Sequence, residues 1–101
     1  MAQVRWTPQA ADDLESICLF IARDSAQLAA VFADRVLRAT DRLASYPRMG
    51  RVVPELGIEE MREIIVGSYR VIYRLRQDAA HVLTVHHGAR PLDTTKFEAS
   101  S

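Results

Sequence analysis

A chain of 101 residues is long enough for one domain and too short for two. Hydrophobic residues make up 49% and charged residues 26%, which allows a buried core under a polar surface, and no apolar run reaches the roughly 18 residues that a membrane-spanning helix needs. The formal net charge is zero and the pI is near 6.8, which excludes a chain-wide nucleic-acid coat and leaves any polyanion or acidic partner to a local patch.

Cys18 is the single cysteine, so no disulfide can form within the chain and a reducing cytoplasm is the expected compartment. The first residues, Met1-Ala2-Gln3-Val4-Arg5-Trp6, lack the apolar stretch of a secretory signal. Of 13 basic residues only Lys96 is a lysine. The others are arginines, whose fixed charge and planar donor fork suit phosphate and carboxylate.

Residues 4–6 read as a short first strand. Thr7-Pro8 then starts a helix, with Thr7 capping free backbone N–H groups and Pro8 in the first turn, where its missing donor costs nothing. Asp12, Asp13 and Glu15 fall early in this helix and favour its positive end. Ala10, Leu14, Ile17, Cys18 and Ile21 recur at spacings of three and four and mark its inner face; Leu19 and Phe20 widen the stripe. Arg23-Asp24-Ser25 reads as a break, with Ser25 or Asp24 capping the next helix. A second helix follows, with Leu28, Phe32, Val36, Ala39 and Leu43 turned inward, Asp34 and Arg38 positioned to pair, and Arg35, Arg38 and Arg42 forming a basic stripe. The short connection predicts an antiparallel helical hairpin.

The run Tyr46-Pro47-Arg48-Met49-Gly50-Arg51 turns the chain, and residues 52–60 read as a loop broken by Pro54 and Gly57. Three strands are expected at residues 61–66, 69–76 and 81–87, the middle one with clear two-residue alternation. Gly67-Ser68 fits a two-residue hairpin turn. Such a turn pairs Val66 with Tyr69, Ile64 with Val71 and Arg62 with Tyr73. It places Met61, Glu63, Ile65, Arg70, Ile72 and Arg74 on the other face, with Glu63 diagonal to both Arg70 and Arg74. The expected fold is α+β: a strand, a two-helix hairpin and a three-stranded antiparallel meander forming one domain over residues 1–92, followed by a flexible tail over residues 93–101.

Few residues have the spacing of a chemical site. His86 and His87 are adjacent on a strand and point to opposite faces, so they do not share a metal, and no metal or cofactor is expected. Either imidazole can act as an acid or base, or make a structural hydrogen bond at the strand end. Arg90 can clamp a phosphate or anchor the tail. No phosphate-cradling glycine loop, nucleophile elbow or catalytic carboxylate pair is present.

Taken in order, Trp6-Thr7-Pro8-x-Ala10, Asp13-Leu14-x-x-Ile17, Pro47-x-x-Gly50-Arg51, Met61-Arg62-Glu63, Tyr69-Arg70-Val71-Ile72-Tyr73-Arg74 and Val85-His86-His87-Gly88-Ala89-Arg90 resemble the RelE/ParE toxin superfamily from about residue 4 to residue 92. The resemblance implies the toxin of a type II toxin–antitoxin pair, neutralised by a cognate antitoxin protein, ParD-like or of another class. It makes Leu14, Ile17, Phe20 and Ile21 the expected landing strip for an antitoxin helix, with Phe20 as its exposed member. Arg70 and Arg74 are read as an open arginine-bearing sheet face that receives an acidic antitoxin segment or a phosphate. The Trp-Thr-Pro start, the Pro-x-x-Gly-Arg turn and the Arg-Glu opening of the second strand favour the ParE-like branch, which poisons DNA gyrase without cutting nucleic acid. The alternative is the RelE-like branch, which cuts mRNA on the ribosome. For that branch the matching residues are Arg62, Arg70 and Arg90, with His86 or His87 as acid or base. Ile64 and Ile65 stand where that branch is more basic, and no tyrosine follows Tyr73. A third reading is a binding module or an inactivated toxin.

Overall fold

The structure, a computed structural model, describes residues 1–98. Strand β1 (Gln3–Trp6) leads into helix α1 (Pro8–Ala22) and helix α2 (Ala26–Asp41), which ends in a 3₁₀ turn at Arg42–Ala44. Strands β2 (Arg51–Val52), β3 (Met61–Val66), β4 (Tyr69–Arg76) and β5 (Ala79–His87) follow, and a single helical turn, α3 (Thr95–Glu98), closes the described chain. The five strands form one sheet in the order β1-β5-β4-β3-β2. The pair β1–β5 is parallel and the others are antiparallel. The architecture is the expected α+β arrangement of a helical hairpin over a meander, with β2 as an additional edge strand.

Local chemistry sets the helix starts. The Thr7 hydroxyl accepts from the Ala10 N–H at 3.1 Å, and Pro8 occupies the first turn. The Ser25 hydroxyl accepts from the Leu28 N–H at 3.1 Å and starts α2. The acidic residues of α1 do not sit in its first turn. Asp13 instead reaches the sheet, where its carboxylate accepts from the Thr84 hydroxyl and, at 3.3 Å, from the Val85 N–H. Strand β1 pairs with β5 only as far as Trp6 opposite Val82, so Asp13 shields part of the β5 edge that β1 leaves uncovered. On α2 the inner stripe begins one residue later than expected. Leu28 is 61% exposed and Ala29 is buried, because α1 passes close enough there for the Cys18 thiol to lie 3.9 Å from the Ala29 carbonyl oxygen. A small side chain fits that crossing and a leucine does not. Asp34 and Arg38 pair at 2.8 Å as expected.

The β3–β4 register is the one that the Gly67-Ser68 turn dictates, with Gly67 at φ +58°. A bulge in β5 between the partners of Ile72 and Tyr73 keeps alternation with β4 on both sides of it. The main core lies between the helices and one sheet face and includes Phe32, Val36, Leu43, Val71, Tyr73 and Val82. A smaller cluster covers the opposite face, where Val53, Met61, Ile72 and Phe97 are buried and Leu56, Leu83 and Leu92 pack against them. Residues 93–98 therefore do not hang free as the composition suggested: α3 presses Phe97 onto the sheet, because one aromatic ring recovers enough buried area to dock a short segment. Residues 99–101 of the expected tail lie outside the described residues.

The turn before β2 is fastened from below. Tyr73 is wholly buried; its hydroxyl donates to the Pro47 carbonyl at 2.8 Å and accepts from the Gly50 N–H at 3.0 Å. Burial raises the pKa of this hydroxyl, which stays protonated and able to donate. A Cβ on Gly50 would lie 2.6 Å from the Glu63 carbonyl oxygen and 2.7 Å from the Tyr73 hydroxyl, so only glycine allows this approach. Tyr73→Phe should destabilise the domain by about 1–3 kcal/mol, since it strands the buried Gly50 N–H and the half-buried Pro47 carbonyl. Gly50→Ala should cost more, because backbone must move. Urea midpoints with unchanged slopes would check both, and equal stability of Gly50→Ala and wild type would contradict the steric account.

Candidate functional site

Two places on the surface combine concavity with polar groups. The first lies on the sheet face away from the helices. Arg70, on β4, keeps only 9% of its side chain exposed. Its Nε donates to Glu63 of β3 at 2.7 Å, and its two terminal nitrogens each lie 2.6 Å from an oxygen of Glu55 in the loop after β2. The second Glu63 oxygen accepts from Arg51 Nε of β2 at 2.6 Å. Arg51, Glu63, Arg70 and Glu55 thus form an alternating chain of two positive and two negative charges. The fork of Arg70 holds the Glu55 carboxylate down to a pKa of about 2, well below its ordinary value, and the two carboxylates push the arginine up. The chain borders an open cleft of about 500 Å³, also lined by Ser68, His87 and Gly88.

The expected Glu63–Arg70 pair is therefore present, and the expected Glu63–Arg74 pair is not. Arg51 takes the oxygen that Arg74 would need, and Arg74 turns instead to Met61 Sδ at 3.3 Å and the Phe97 carbonyl at 3.4 Å. Neither Arg70 nor Arg74 stands on an open basic face.

The other residues singled out from sequence scatter over both faces. Arg62 is on the helix side of β3, opposite Tyr73, and serves the turn: it donates to the carbonyls of Gly50 (2.9 Å), Arg48 (3.2 Å) and Glu59 (3.0 Å) and pairs with the Glu59 carboxylate. His86 shares the Arg70 face, as its register partner, and its Nε2 donates to the Arg90 carbonyl at 3.0 Å. His87 lies on the helix face, edge-on to Tyr69 with ring centroids 5.0 Å apart, and its Nδ1 accepts from the Ala89 N–H at 3.0 Å. Arg90 is exposed at the turn after β5. The sheet itself therefore separates Arg62 from Arg70 and His86, while His87, at the end of β5, borders the Arg70 cleft from the helix side. Among the described residues, no group of three or more His, Cys, Asp or Glu side chains could hold a metal ion.

The second place is a broad groove of about 1160 Å³ between α1 and the chain that leaves β5. Asp13, Ile17 and Phe20 form one wall; Thr84, Arg90 and Leu92 are on the other. Phe20 is 62% exposed, with the Arg23 guanidinium 5.7 Å from its ring centroid, while Leu14, Ile17 and Ile21 are half-buried against the main core. Of the expected strip, Ile17 and Phe20 face the groove; Leu14 and Ile21 belong to the core. Sequence reasoning missed Glu55, and it named Arg51 and Asp13 without their partners Glu63 and Thr84, since none of the three falls on a periodic pattern that would have pointed to its partner.

Residues 4–92 match the family described as the ParE toxin of the type II toxin–antitoxin system, parDE. The chain is similar to Toxin RelE2 of Caulobacter vibrioides, with 36% identity over 91 residues covering 89% of this chain and 99% of that protein. Its fold is similar to that of a solved chain of the chromosomal ParDE system from P. aeruginosa, with a TM-score of 0.71 at 17% identity over 86% of this chain and 96% of that one. The isolated E. coli RelE toxin gives a TM-score of 0.57 at 10% identity, over 99% and 98% of the two chains.

The depressed pKa of Glu55 sets a pH dependence. A carboxylate whose folded value is about 2 against an ordinary 4.5 contributes stability that is complete above about pH 4.5 and is lost as pH falls toward 2. Glu55→Gln should flatten that acid limb and leave the profile from about pH 5 to pH 7 parallel to wild type, as read from thermal midpoints between pH 2 and pH 7. Arg70→Ala should be far more damaging at every pH, by about 3–5 kcal/mol, because it leaves buried Glu63 with the solvent-facing Arg51 alone.

Proposed function

We propose a target for this chain, which belongs to the ParE toxin family of type II toxin–antitoxin systems: it binds DNA gyrase in the cytoplasm and halts replication by trapping the enzyme on its DNA, with no covalent chemistry of its own. Membership of the family implies a protein antitoxin as its partner. The observation that carries the gyrase reading is the engagement of its basic residues. Cutting RNA at the 2′-hydroxyl needs a base, an acid and cationic stabilisation converging on one phosphate. Here Arg62 is held by turn carbonyls on one face of the sheet, Arg70 is held by two carboxylates on the other, and both histidine rings have backbone partners. A poison that acts by binding needs no such set; it needs a rigid surface, which these contacts supply.

For the antitoxin, the groove beside α1 is the site that fits. Ile17 and Phe20 offer apolar contact along one wall and Arg90 a fixed positive charge on the other, which suits a segment with apolar residues at helical spacing and an acidic flank. The solvent-facing Phe20 ring is the anchor of this contact and contributes little to the fold.

A RelE-like mRNA interferase is the second reading. It is favoured by the name of the 36% identical relative, Toxin RelE2, and by His86 standing opposite Arg70 on one face with Arg90 beside it.

The two readings separate in vitro. Purified toxin should inhibit gyrase supercoiling or accumulate cleaved DNA without ribosomes, and a His86→Ala/Arg90→Ala double variant should remain as toxic as wild type. Codon-linked cuts in translated mRNA, lost in that double variant, together with undisturbed gyrase at saturating toxin, would reverse the assignment. For the antitoxin groove, Phe20→Asp should weaken binding of the cognate antitoxin by about 10–100-fold, the effect of losing one buried aromatic anchor, with the toxin's own thermal midpoint nearly unchanged. Unaltered affinity on calorimetric titration would move the antitoxin elsewhere.

A further inference from the structure

We propose that the Arg70 fork, with Arg51 beside it, is a latent oxyanion site whose resting occupant is the side-chain carboxylate of Glu55. This inference does not depend on which target the toxin meets.

The contact geometry comes first. Both Glu55 oxygens lie 2.6 Å from the two terminal nitrogens of Arg70, the parallel arrangement that a guanidinium offers to any carboxylate or phosphate. The fork also has an approach route, because Arg70 and Glu55 border the open cleft of about 500 Å³ that Arg51, Ser68 and Gly88 also line. A phosphate group is small against that space.

The two carboxylates on Arg70 are unlike. Glu63 belongs to β3, has no exposed side-chain surface and is shared with Arg51, so its departure would take a carboxylate from two guanidiniums at once. Glu55 comes from a loop and keeps 37% of its side chain exposed. The loop is anchored on both sides of it, by the buried Val53, whose N–H donates to the Met61 carbonyl at 2.9 Å, and by Leu56, packed in the small cluster. Glu55 can therefore leave the fork by rotating its own side chain while the loop stays in place.

Charge completes the case. With Glu55 in the fork, two guanidiniums face two carboxylates. With Glu55 rotated out, two guanidiniums face the single carboxylate of Glu63, and the two terminal nitrogens of Arg70 are left without an acceptor in a cleft open to solvent. An arriving phosphate or carboxylate group restores both the charge balance and the bidentate contact. In the resting protein it must compete with Glu55, which is tethered at high effective concentration, so the site is masked.

Removing the tethered competitor tests this. Glu55→Ala and Glu55→Gln, each checked for native circular dichroism, would be titrated at low ionic strength with inorganic phosphate and, separately, with acetate, following the arginine Nε–H resonances by NMR. Phosphate should bind Glu55→Ala about tenfold or more tightly than wild type, the scale of one charge-assisted contact, with Glu55→Gln showing a smaller gain. Adding Arg51→Ala to the Glu55→Ala chain should return affinity to the wild-type level. A gain for phosphate alone assigns the fork to phosphate groups, and a gain for acetate alone assigns it to carboxylate side chains. If folded Glu55→Ala binds neither anion more tightly than wild type, or if the gain survives Arg51→Ala, the proposal is overturned. Should Glu55→Ala not fold, Glu55→Gln, alone and combined with Arg51→Ala, decides by the same criteria.

Discussion

A guanidinium placed inside a sheet must be met by opposite charge, and Arg70 is placed so, with 9% of its side chain exposed. The cost of leaving it unpaired would be several kcal/mol, a large part of the net stability of a domain this size. The chain meets it with two carboxylates from two other segments: Glu63 in the neighbouring strand and Glu55 in the loop after β2. Pairing Arg70 therefore fixes more than Arg70. It draws Glu63 into a position where Arg51 must neutralise its second oxygen, and so pins the two-residue strand β2 to the sheet edge. It draws the loop down onto the sheet, where Val53 and Leu56 land on Met61 and Ile72. Phe97 then closes the same cluster. Much of the face away from the helices is organised around one buried charge.

The helix face is organised differently, by apolar area, and Tyr73 joins the two. Its ring lies in the main core with Val36 and Leu43, and its hydroxyl holds the Pro47–Gly50 turn. That turn delivers Arg51 to Glu63 immediately afterwards. Arg62 reinforces it from the same face through three carbonyls. A defect at Gly50 or Tyr73 would thus be felt on the opposite side of the sheet, at the charged chain, through a displaced Arg51. Packing on one face and ion pairing on the other are coupled through a few residues of backbone.

How legible this was in the sequence depended on the range of each interaction. The β3–β4 hairpin was legible to the residue, because a two-residue glycine turn fixes register and alternation fixes faces. The helix cap at Thr7 was legible because cap and N–H are three residues apart, and the second cap was narrowed to Asp24 or Ser25, of which Ser25 makes the bond. Leu28 was misplaced because a helical stripe defines an angle, and only the close crossing of α1 decides between Leu28 and Ala29. Strand β2 is too short to show alternation. Glu55 sits in an aperiodic loop, 15 residues from Arg70, and nothing local distinguishes it from any exposed glutamate. The parallel pairing of β1 with β5 and the docking of Phe97 are contacts between distant segments, which composition and spacing do not encode. The Glu63–Arg70 diagonal could be read; its extension to Arg51 and Glu55 required the fold.

The residues that carry the family resemblance are, for the most part, the residues of this framework. Pro47, Gly50, Arg51, Arg62, Glu63, Arg70 and Tyr73 all make the contacts just described, and Thr7 and Ala10 cap and bury the start of α1. A motif made of such residues identifies a scaffold, since each is constrained by a partner inside the chain. It says little about what the scaffold meets, because in the resting protein these side chains are turned to partners within the chain, Arg70 to Glu63 and Glu55 among them. The framework leaves other side chains exposed: Phe20 and Leu19 on α1, Leu28, Val31 and Arg35 on α2, Ile65 on β3 and Arg90 after β5. These can change without loosening the fold. The likeness in fold to both the ParDE and the RelE structures, at 17% and 10% identity, leaves the target open for the same reason: in this chain the internal partners hold the chain path, and the outward residues are not needed for it.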